Sequence, residues 1–255
     1  MFEITETRLI HEVFYRSSGG NGRRGLMLPI LVCRYRSHLD AKPTFLATAD
    51  LQGREAGPAN RLLGEFLADE IMAMQRLGEL PALDLCLLCG DFYDYPDLHK
   101  MGGTGDVTTA FNALSQVATQ TVAVLGNHDE ITPHGLKSTI DVLDGTVAWY
   151  GELRIGGVSG IIGNPRRNQR KTDAEFFTAL RSCSRSSADI VLLHQGPEGP
   201  TASHAGLDLI NRELSTRNDL LVICGHNHWP EPFHIEGRNL FCNVDARAIV
   251  FIPAE

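Results

Sequence analysis

The 255-residue sequence has no apolar run long enough to cross a bilayer and no excess of positive charge. Its formal net charge is -8, so no overall basic field attracts it to nucleic acid or to anionic membranes. The N-terminal segment is mixed and charged, and it lacks the apolar stretch of a signal peptide. We therefore expect no membrane association, no extended nucleic acid as partner, and a cytoplasmic location.

A disulfide framework is also missing from the sequence. Its six cysteines lie mostly inside apolar runs, at spacings that indicate no paired scaffold. Cys86 and Cys89 have the spacing of a redox motif, but they fall within a predicted strand, where residues three apart point to opposite faces. The cysteines are therefore predicted to be core residues of a protein in a reducing compartment.

From position 43 onward, short apolar runs alternate with amphipathic segments, which is typical of strands connected by helices. We treat residues 43–255 as a single domain. Residues 1–42 are interpreted as an N-terminal extension or edge strands, with a flexible turn at 17–25 between two short extended pieces.

The predicted strands and helices can be placed along the chain. Strands are predicted at 44–49, 83–89, 121–125, 153–160, 189–193 and 219–224, with a final hairpin formed by 239–245 and 248–252. The clearest helix is predicted at 58–75, and weaker ones at 107–117, 135–143, 172–183 and 207–214.

Five of these strands run directly into polar residues that can bind metal. The five blocks are Asp50-Leu51-Gln52, Gly90-Asp91-Phe92-Tyr93-Asp94, Gly126-Asn127-His128-Asp129, His194, and Gly225-His226-Asn227-His228. Each block alone is better explained by a turn or a buried histidine than by a functional site. Because the carboxyl ends of strands form the ligand crevice of open α/β sheets, we expect all five to converge on one rim.

Taken in order, the blocks resemble the calcineurin-like metallophosphoesterase family, whose pattern is D-x-H, G-D-x-x-D, G-N-H-[DE], a single H, and G-H-x-H. The resemblance runs from Asp50 to His228, and only the first block departs, at Gln52. It implies an α/β fold, a four-layer α-β-β-α sandwich of two mixed β-sheets flanked by helices. It also implies metal-dependent hydrolysis of phosphate esters by a hydroxide activated between two divalent metal ions.

The resemblance also assigns roles to residues. It implies that one metal is held by Asp50, Gln52, Asp91 and His228, and the other by Asp91, Asn127, His194 and His226. Asp91 would bridge the metals, and His128 would face the substrate as the catalytic donor to the leaving oxygen. A set of carboxylate, imidazole and amide ligands suits manganese best, with iron or zinc as alternatives, and the absence of cysteine argues against a closed structural zinc site.

Gln52 stands where the family usually has histidine. One hypothesis is that its amide oxygen still binds metal, which weakens that site and favours manganese or iron over zinc. The alternative is that Gln52 only forms a hydrogen bond to a metal-bound water.

Substrate contacts are predicted from features that are less specific than the metal-binding blocks. Arg54, Arg166 and Arg167 are candidate phosphate partners, and Tyr93 and Trp229 could stack on a nucleobase or an aryl group. A solvated charge run and packing of the rim explain these residues equally well. Asp94 and Asp129 are candidates to orient metal-binding histidines, or are plain turn carboxylates.

The leading functional hypothesis is hydrolysis of a small phosphomonoester or phosphodiester. A nucleotide is one candidate substrate. A non-catalytic scaffold of the same fold that binds a protein partner is the alternative, together with a nuclease. Retention of His128 and of all but one ligand position argues against a scaffold. A nuclease normally needs a basic groove, which the composition does not indicate.

Overall fold

The computed structural model describes residues 1–19 and 22–254. Within them the strands are β1 Glu3–Gly19, β2 Gly22–Arg36, β3 Phe45–Ala49, β4 Arg54–Glu55, β5 Leu83–Leu88, β6 Gly105–Asp106, β7 Ala118–Ala123, β8 Asp129–Glu130, β9 Ile140–Val142, β10 Thr146–Tyr150, β11 Leu153–Val158, β12 Ile161–Ile162, β13 Arg170–Lys171, β14 Ile190–Gln195, β15 Leu221–Gly225, β16 Phe233–Glu236, β17 Asn239–Asn243 and β18 Arg247–Pro253. The helices are α1 Leu63–Arg76, α2 Thr108–Leu114, α3 Asp173–Arg185 and α4 Asp208–Leu214.

Two mixed sheets face each other. The larger has eight strands in the order β4-β1-β2-β18-β3-β5-β7-β9, and the smaller has six in the order β10-β11-β14-β15-β17-β16. Between the sheets lies a core that includes Phe45, Leu87, Ile155 and Leu192. Helices α1 and α2 cover the outer face of the larger sheet, and α3 and α4 cover that of the smaller. The predicted four-layer sandwich is confirmed.

Helix α1 forms because its apolar residues recur on one face. Leu63, Leu67 and Ile71 are fully buried at intervals of four residues. The prediction that this helix begins at residue 58 is wrong, because Leu62 forms an antiparallel bridge with Arg54 and the chain turns into the helix only after that bridge.

The N-terminal residues form a long hairpin rather than two short pieces around a flexible turn. β1 and β2 pair in antiparallel fashion from Glu3 with Arg36 to Gly19 with Gly22. The predicted turn at 17–25 is therefore mostly paired strand, and its centre lies outside the described residues. β2 also pairs with β18 in parallel, which makes the hairpin part of the larger sheet.

Two further predictions are wrong. Residues 239–243 and 247–253 do not form a hairpin, because β17 pairs with β15 and β16 in the smaller sheet whereas β18 lies between β2 and β3 in the larger. Both strands are buried on both faces, so the apolar pattern could not distinguish the sheets. No helix forms at 135–143, where β9 instead pairs with β7 in parallel.

The six cysteines are all free and buried. Burial raises the pKa of each thiol, including Cys86 and Cys89, which keeps them protonated. Among the helices of the described residues, none combines the length and the apolar character required to span a bilayer.

Candidate metal centre

The five polar blocks meet at one end of the sandwich. Asp50 follows β3 and Asp91 follows β5 in the larger sheet, while His194 lies in β14 and His226 follows β15 in the smaller. The blocks are also bonded to each other: the backbone N–H of Asp50 donates to Gly90 O at 2.8 Å, and that of His226 donates to Asp50 Oδ2 at 2.8 Å. The site is therefore built across both sheets.

Two glycines of the motifs allow this close approach. A Cβ at Gly126 would lie 2.0 Å from Asp91 Oδ1, and one at Gly225 would lie 2.3 Å from Asp50 Oδ2. Any side chain at these positions would displace a carboxylate of the site. The glycines of the G-N-H-D and G-H-x-H blocks are therefore required by packing.

The loops that carry the acidic and imidazole groups are conformationally strained. Asp50, Asp91 and His226 have φ angles of 55°, 60° and 70°, in the left-handed region that residues with a side chain seldom adopt. Such strain collects at functional sites, where the surrounding structure maintains it. Here the hydrogen bonds between the blocks hold it in place.

Three side chains form a cluster with metal-ligand geometry. One ligand atom from each of Asp91, His194 and His226 lies within 4.8 Å of the other two. The Nδ1 of His194 lies 2.8 Å from Cys89 O and donates to it, so Nε2 is the ring nitrogen that faces the cluster. That Nε2 lies 3.4 Å from Asp91 Oδ2.

Unsatisfied buried atoms identify the chemistry that this cluster fits. Among the described residues, His194 Nε2 and Asn127 Oδ1 are buried without a hydrogen-bond partner. Leaving a polar atom so buried is costly unless something else binds it. An amide oxygen and an imidazole nitrogen that has released its proton both bind metals, and next to the Asp91 carboxylate they match the ligand set of a divalent cation.

The protonation states of the cluster are set by burial and by mutual proximity. Burial acts to raise the pKa of Asp91, but neighbouring His194 and His128 outweigh it and hold that pKa below its ordinary value. Burial acts to lower the pKa of His194, but Asp91 and Asp50 outweigh it and raise it to about 10. Burial, assisted by His194, lowers the pKa of His226 to about 4. A proton on His194 thus occupies the position that a cation would take.

The carboxylate of Asp50 lies close to a second carboxylate, that of Asp245. Burial raises the pKa of Asp50 well above the ordinary value, and the nearby carboxylate of Asp245 raises it further. The backbone N–H of His226 opposes both effects. Positive charge near Asp50 would therefore relieve an unfavourable accumulation of carboxylates.

Gln52 and His228 are placed more loosely. Gln52 Nε2 donates to Asp91 Oδ2 at 3.2 Å. The side chain of His228 is 58% exposed, its Nδ1 lies 3.4 Å from Asp245 Oδ1, and Arg247 Nη2 lies 3.2 and 3.1 Å from its two ring nitrogens. The half of the site that contains both residues is therefore the less tightly organised half.

A cleft of about 730 Å³ opens above these residues. We call it the metal-site cleft, and it is lined by Asp50, Gln52, Asp91, His226 and His228, by His128, Asp245 and Ala246, by Met101 and Gly102, and by the N-terminal hairpin. The backbone N–H of His128 donates to Asp91 Oδ1 at 2.9 Å, and its ring Nδ1 lies 3.4 Å from Thr104 Oγ1. His128 therefore stands at the edge of the cluster with its ring open to the cleft.

The predicted role of Asp94 and Asp129 as partners of histidines is wrong. Asp94 accepts hydrogen bonds from Ser18 and from the backbone N–H of Tyr95. Asp129 accepts from the backbone N–H groups of residues 91, 92 and 126 at 2.7, 2.7 and 2.8 Å. Both carboxylates fix loop backbone, which is the turn role that the sequence left open.

The structure does not place Trp229, Arg54 and Tyr93 where the predicted substrate contacts require them. Trp229 is 1% exposed, with its Nε1 bonded to Ala205 O at 2.9 Å, so a stacking role is contradicted. The guanidinium of Arg54 donates to Asp94 O and to the backbone of residue 60, and lies over the Tyr93 ring at 5.8 Å. Among the described residues, neither Arg54 nor Tyr93 lines the cleft.

The basic loop that contains Arg166 and Arg167 lies beside the third block. Both arginines are exposed, and their neighbour Asn168 donates through Nδ2 to Asn127 O at 3.3 Å and Asp129 O at 2.9 Å. The loop is thereby fixed next to the site, although neither arginine lines the cleft of the described structure.

Sequence reasoning missed Asp245 and Arg247. Asp245 follows β17 just as the other polar residues follow their strands, so the same strand-end signal could have found it. Arg247 is 4% exposed and packs against His228, but a single arginine at the start of a strand gives no sequence signal.

Comparisons with known proteins agree with this geometry. The family model described as calcineurin-like phosphoesterase matches residues 43–250. The fold is similar to the crystal structure of the protein TT1561 of Thermus thermophilus, at 17% identity, a TM-score of 0.56, and coverage of 81% of this chain and 91% of that one.

Two further solved structures match less closely. A phosphopantetheinyl hydrolase from Mycobacterium tuberculosis is 11% identical with a TM-score of 0.45, over 81% of this chain and 90% of that one. A dimetal phosphatase from Danio rerio is 10% identical with a TM-score of 0.47, over 79% of this chain and 87% of that one. No curated protein matches the sequence. The family match covers most of the chain and contains all five blocks, so the chain belongs to the calcineurin-like phosphoesterase family and is a metal-dependent phosphoester hydrolase.

Proposed function

We propose that the protein hydrolyses small phosphate esters at a centre of two divalent metal ions. The observation that supports this most strongly is the pair of buried atoms without hydrogen-bond partners, Asn127 Oδ1 and His194 Nε2, beside the Asp91 carboxylate. Without a divalent ion, a proton on His194 takes the place of the cation, and Asn127 Oδ1 stays unsatisfied. They lie beneath a cleft that a small substrate can enter.

The two ions would be held by different residues. Asp91, Asn127, His194 and His226 would hold one ion, and Asp50, Gln52, Asp91 and His228 would hold the other. When bound, such ions supply a nucleophile by lowering the pKa of water and stabilise charge on the phosphoryl oxygens. The first set is buried and compact, so we expect it to bind its ion more tightly than the second.

Gln52 can contribute an oxygen without rearrangement of the backbone. Its amide now donates Nε2 to Asp91, and rotation of the amide by half a turn exchanges Nε2 with Oε1. A neutral amide oxygen is a weaker ligand than imidazole for zinc and suits manganese or iron, so we propose manganese as the preferred metal.

His128 is proposed to donate a proton to the leaving oxygen. Its backbone is fixed to Asp91, its ring lies within reach of Thr104, and its side chain is 23% exposed on the cleft side. A donor must be both positioned and accessible to the substrate, and this histidine satisfies both conditions.

The size and charge of the cleft support a small anionic substrate. About 730 Å³ is within the ordinary range of a small-molecule pocket. The carboxylates of Asp91 and Asp245 contribute negative charge to the cleft, and two divalent ions would reverse that sign. The free, buried cysteines support a reducing, cytoplasmic environment for this reaction.

The test is turnover with added Mn²⁺ of an aryl phosphate and a bis-aryl phosphodiester. We expect the wild type to cleave at least one of them, and Asp91→Asn to abolish cleavage. Asp40→Asn is the matched control, since Asp40 is exposed and does not line the metal-site cleft. Tight Mn²⁺ binding without turnover of any ester would favour the scaffold instead, and cleavage of polynucleotides alone would favour a nuclease.

A further inference from the structure

The N-terminal hairpin forms one wall of the metal-site cleft. We call residues 13–19 and 22–29 the arm; they precede the part of the chain that matches the family model. Seven arm residues line the cleft, among them Tyr15, Ser17, Arg24 and Met27. The family resemblance therefore says nothing about this wall, although it faces the reacting centre.

The arm is fixed to the ligand-bearing loops. Ser17 Oγ donates to Gln52 O at 2.9 Å, and the backbone N–H of Ser18 donates to Asp94 Oδ2 at 3.2 Å. Nearer the tip, Arg23 Nε donates to Asp97 O at 3.0 Å. These bonds tie the arm to the first and second blocks, so its cleft-facing side chains have fixed positions relative to the metal ligands.

Arg24 is the cationic group of this wall. Among the described residues that line the cleft it is the only lysine or arginine, and no hydrogen bond or ion pair to its side chain is found among the described residues. Arg24 pairs with Ser17 across the hairpin, which places it on the Gln52 side of the centre. An exposed guanidinium in a cleft of carboxylates is suited to bind an anionic oxygen of a ligand.

The neighbouring part of the arm is apolar. Leu26, Met27 and Pro29 line the same cleft, and Met27 is 47% exposed. These residues lie on the other side of the centre, because β2 runs beside β18, which begins just after Asp245. At ~3.3 Å per residue, the wall from Arg24 to Pro29 is about 17 Å long. Inorganic phosphate alone would leave most of it without a contact.

We propose that the arm selects the organic group of the substrate. Arg24 binds a second anionic group, and Met27 and Pro29, which share one face of β2, pack against an apolar portion. The substrate class is thus a phosphate ester whose organic part is apolar and carries another negative charge. This inference rests on the proposed phosphoesterase function, and it adds a recognition surface that lies outside the family match.

The test compares three esters, phenyl phosphate, 4-carboxyphenyl phosphate and 1-naphthyl phosphate. We expect Arg24→Gln to reduce kcat/KM for the carboxylated ester by about tenfold or more, while the other two change little. Met27→Ser should reduce kcat/KM for the naphthyl ester more than for the phenyl ester, by about tenfold. Arg34→Gln, in the same strand but away from the cleft, is the control.

The outcomes separate the two proposals. If the wild type turns over no ester with any metal, the proposed function fails. The role of the arm is then decided by calorimetry, which measures the affinity of wild type and of Arg24→Gln for phenyl phosphate and for 4-carboxyphenyl phosphate. If both proteins bind both esters with the same affinity, that role is overturned. If turnover is present but Arg24→Gln changes all three esters equally, the arm is structural and the inference is wrong. Arg24→Lys should restore part of the preference for the carboxylated ester.

Discussion

The two ring nitrogens of His194 have different surroundings, and the difference indicates a metal site. The Nδ1 is committed to the carbonyl of Cys89, and the Nε2 faces Asp91. The sequence offered only a histidine at a strand end, and for this block taken alone an ordinary core histidine was the better interpretation. The second nitrogen, buried without a partner, is a fact of tertiary packing that no local pattern contains.

Metal binding should release a proton from His194. The pKa of His194 is raised to about 10, so its ring is protonated at pH 7.5 and a cation must displace that proton, whereas His226, with a pKa of about 4, is already neutral. We expect at least one proton per protein to be released, and apparent affinity to fall about tenfold per pH unit on acidification from pH 9 to 6.

Calorimetric titration of Mn²⁺ in buffers of different ionisation enthalpy measures this release. The slope of the observed enthalpy against the buffer enthalpy gives the number of protons. A slope of zero would contradict the protonation state assigned to His194.

Replacement of Gln52 by histidine restores the residue that the family pattern contains. If Gln52 binds a metal through its oxygen, Gln52→His should strengthen zinc at the second site by at least about tenfold, because imidazole is the better ligand for zinc. Competition with a chelating dye measures both sites separately. Unchanged affinity at both sites would show that Gln52 is not a ligand. The matched control is Gln120→His, at a half-buried position that does not line the metal-site cleft.

At the scale of elements, strand ends were the most informative feature. The apolar runs before Asp50, Gly90 and Gly225 predicted strands that the structure contains with small shifts. The same logic failed for β17 and β18, because two buried strands in adjacent positions look alike whichever sheet they join. It also failed for the hairpin, whose polar, glycine-rich sequence resembled a loop although residues 17–19 pair with residues 22–24.

Asp129 joins the second and third blocks and should contribute to stability. Its two oxygens accept three backbone N–H groups, so Asp129→Asn turns an amide donor towards at least one of them. We expect a loss of about 1–3 kcal/mol in the free energy of unfolding. Urea denaturation of the metal-free protein measures it.

The control for this substitution is Asp141→Asn, at an exposed carboxylate that accepts one hydrogen bond, from Gln120. Equal stability of the two variants would show that Asp129 does not hold the loops together.

At the scale of the whole molecule, the charge of the chain and the charge of the site have opposite consequences. A net charge of -8 repels phosphate at long range, so attraction must come from ions within the cleft. The fold makes this possible by bringing strand ends from two sheets together, which the family resemblance implied. It did not imply the arm, because residues 1–42 contain no motif and their position follows only from sheet pairing.

The central claim is that the five blocks hold two ions with Asp91 between them. Anomalous X-ray diffraction from crystals grown with Mn²⁺ tests it most directly, at wavelengths on either side of the manganese absorption edge. We predict two anomalous peaks at the floor of the metal-site cleft, the stronger beside Asn127, His194 and His226 and the weaker beside Gln52 and His228. A single peak, or peaks remote from Asp91, would contradict the two-metal centre.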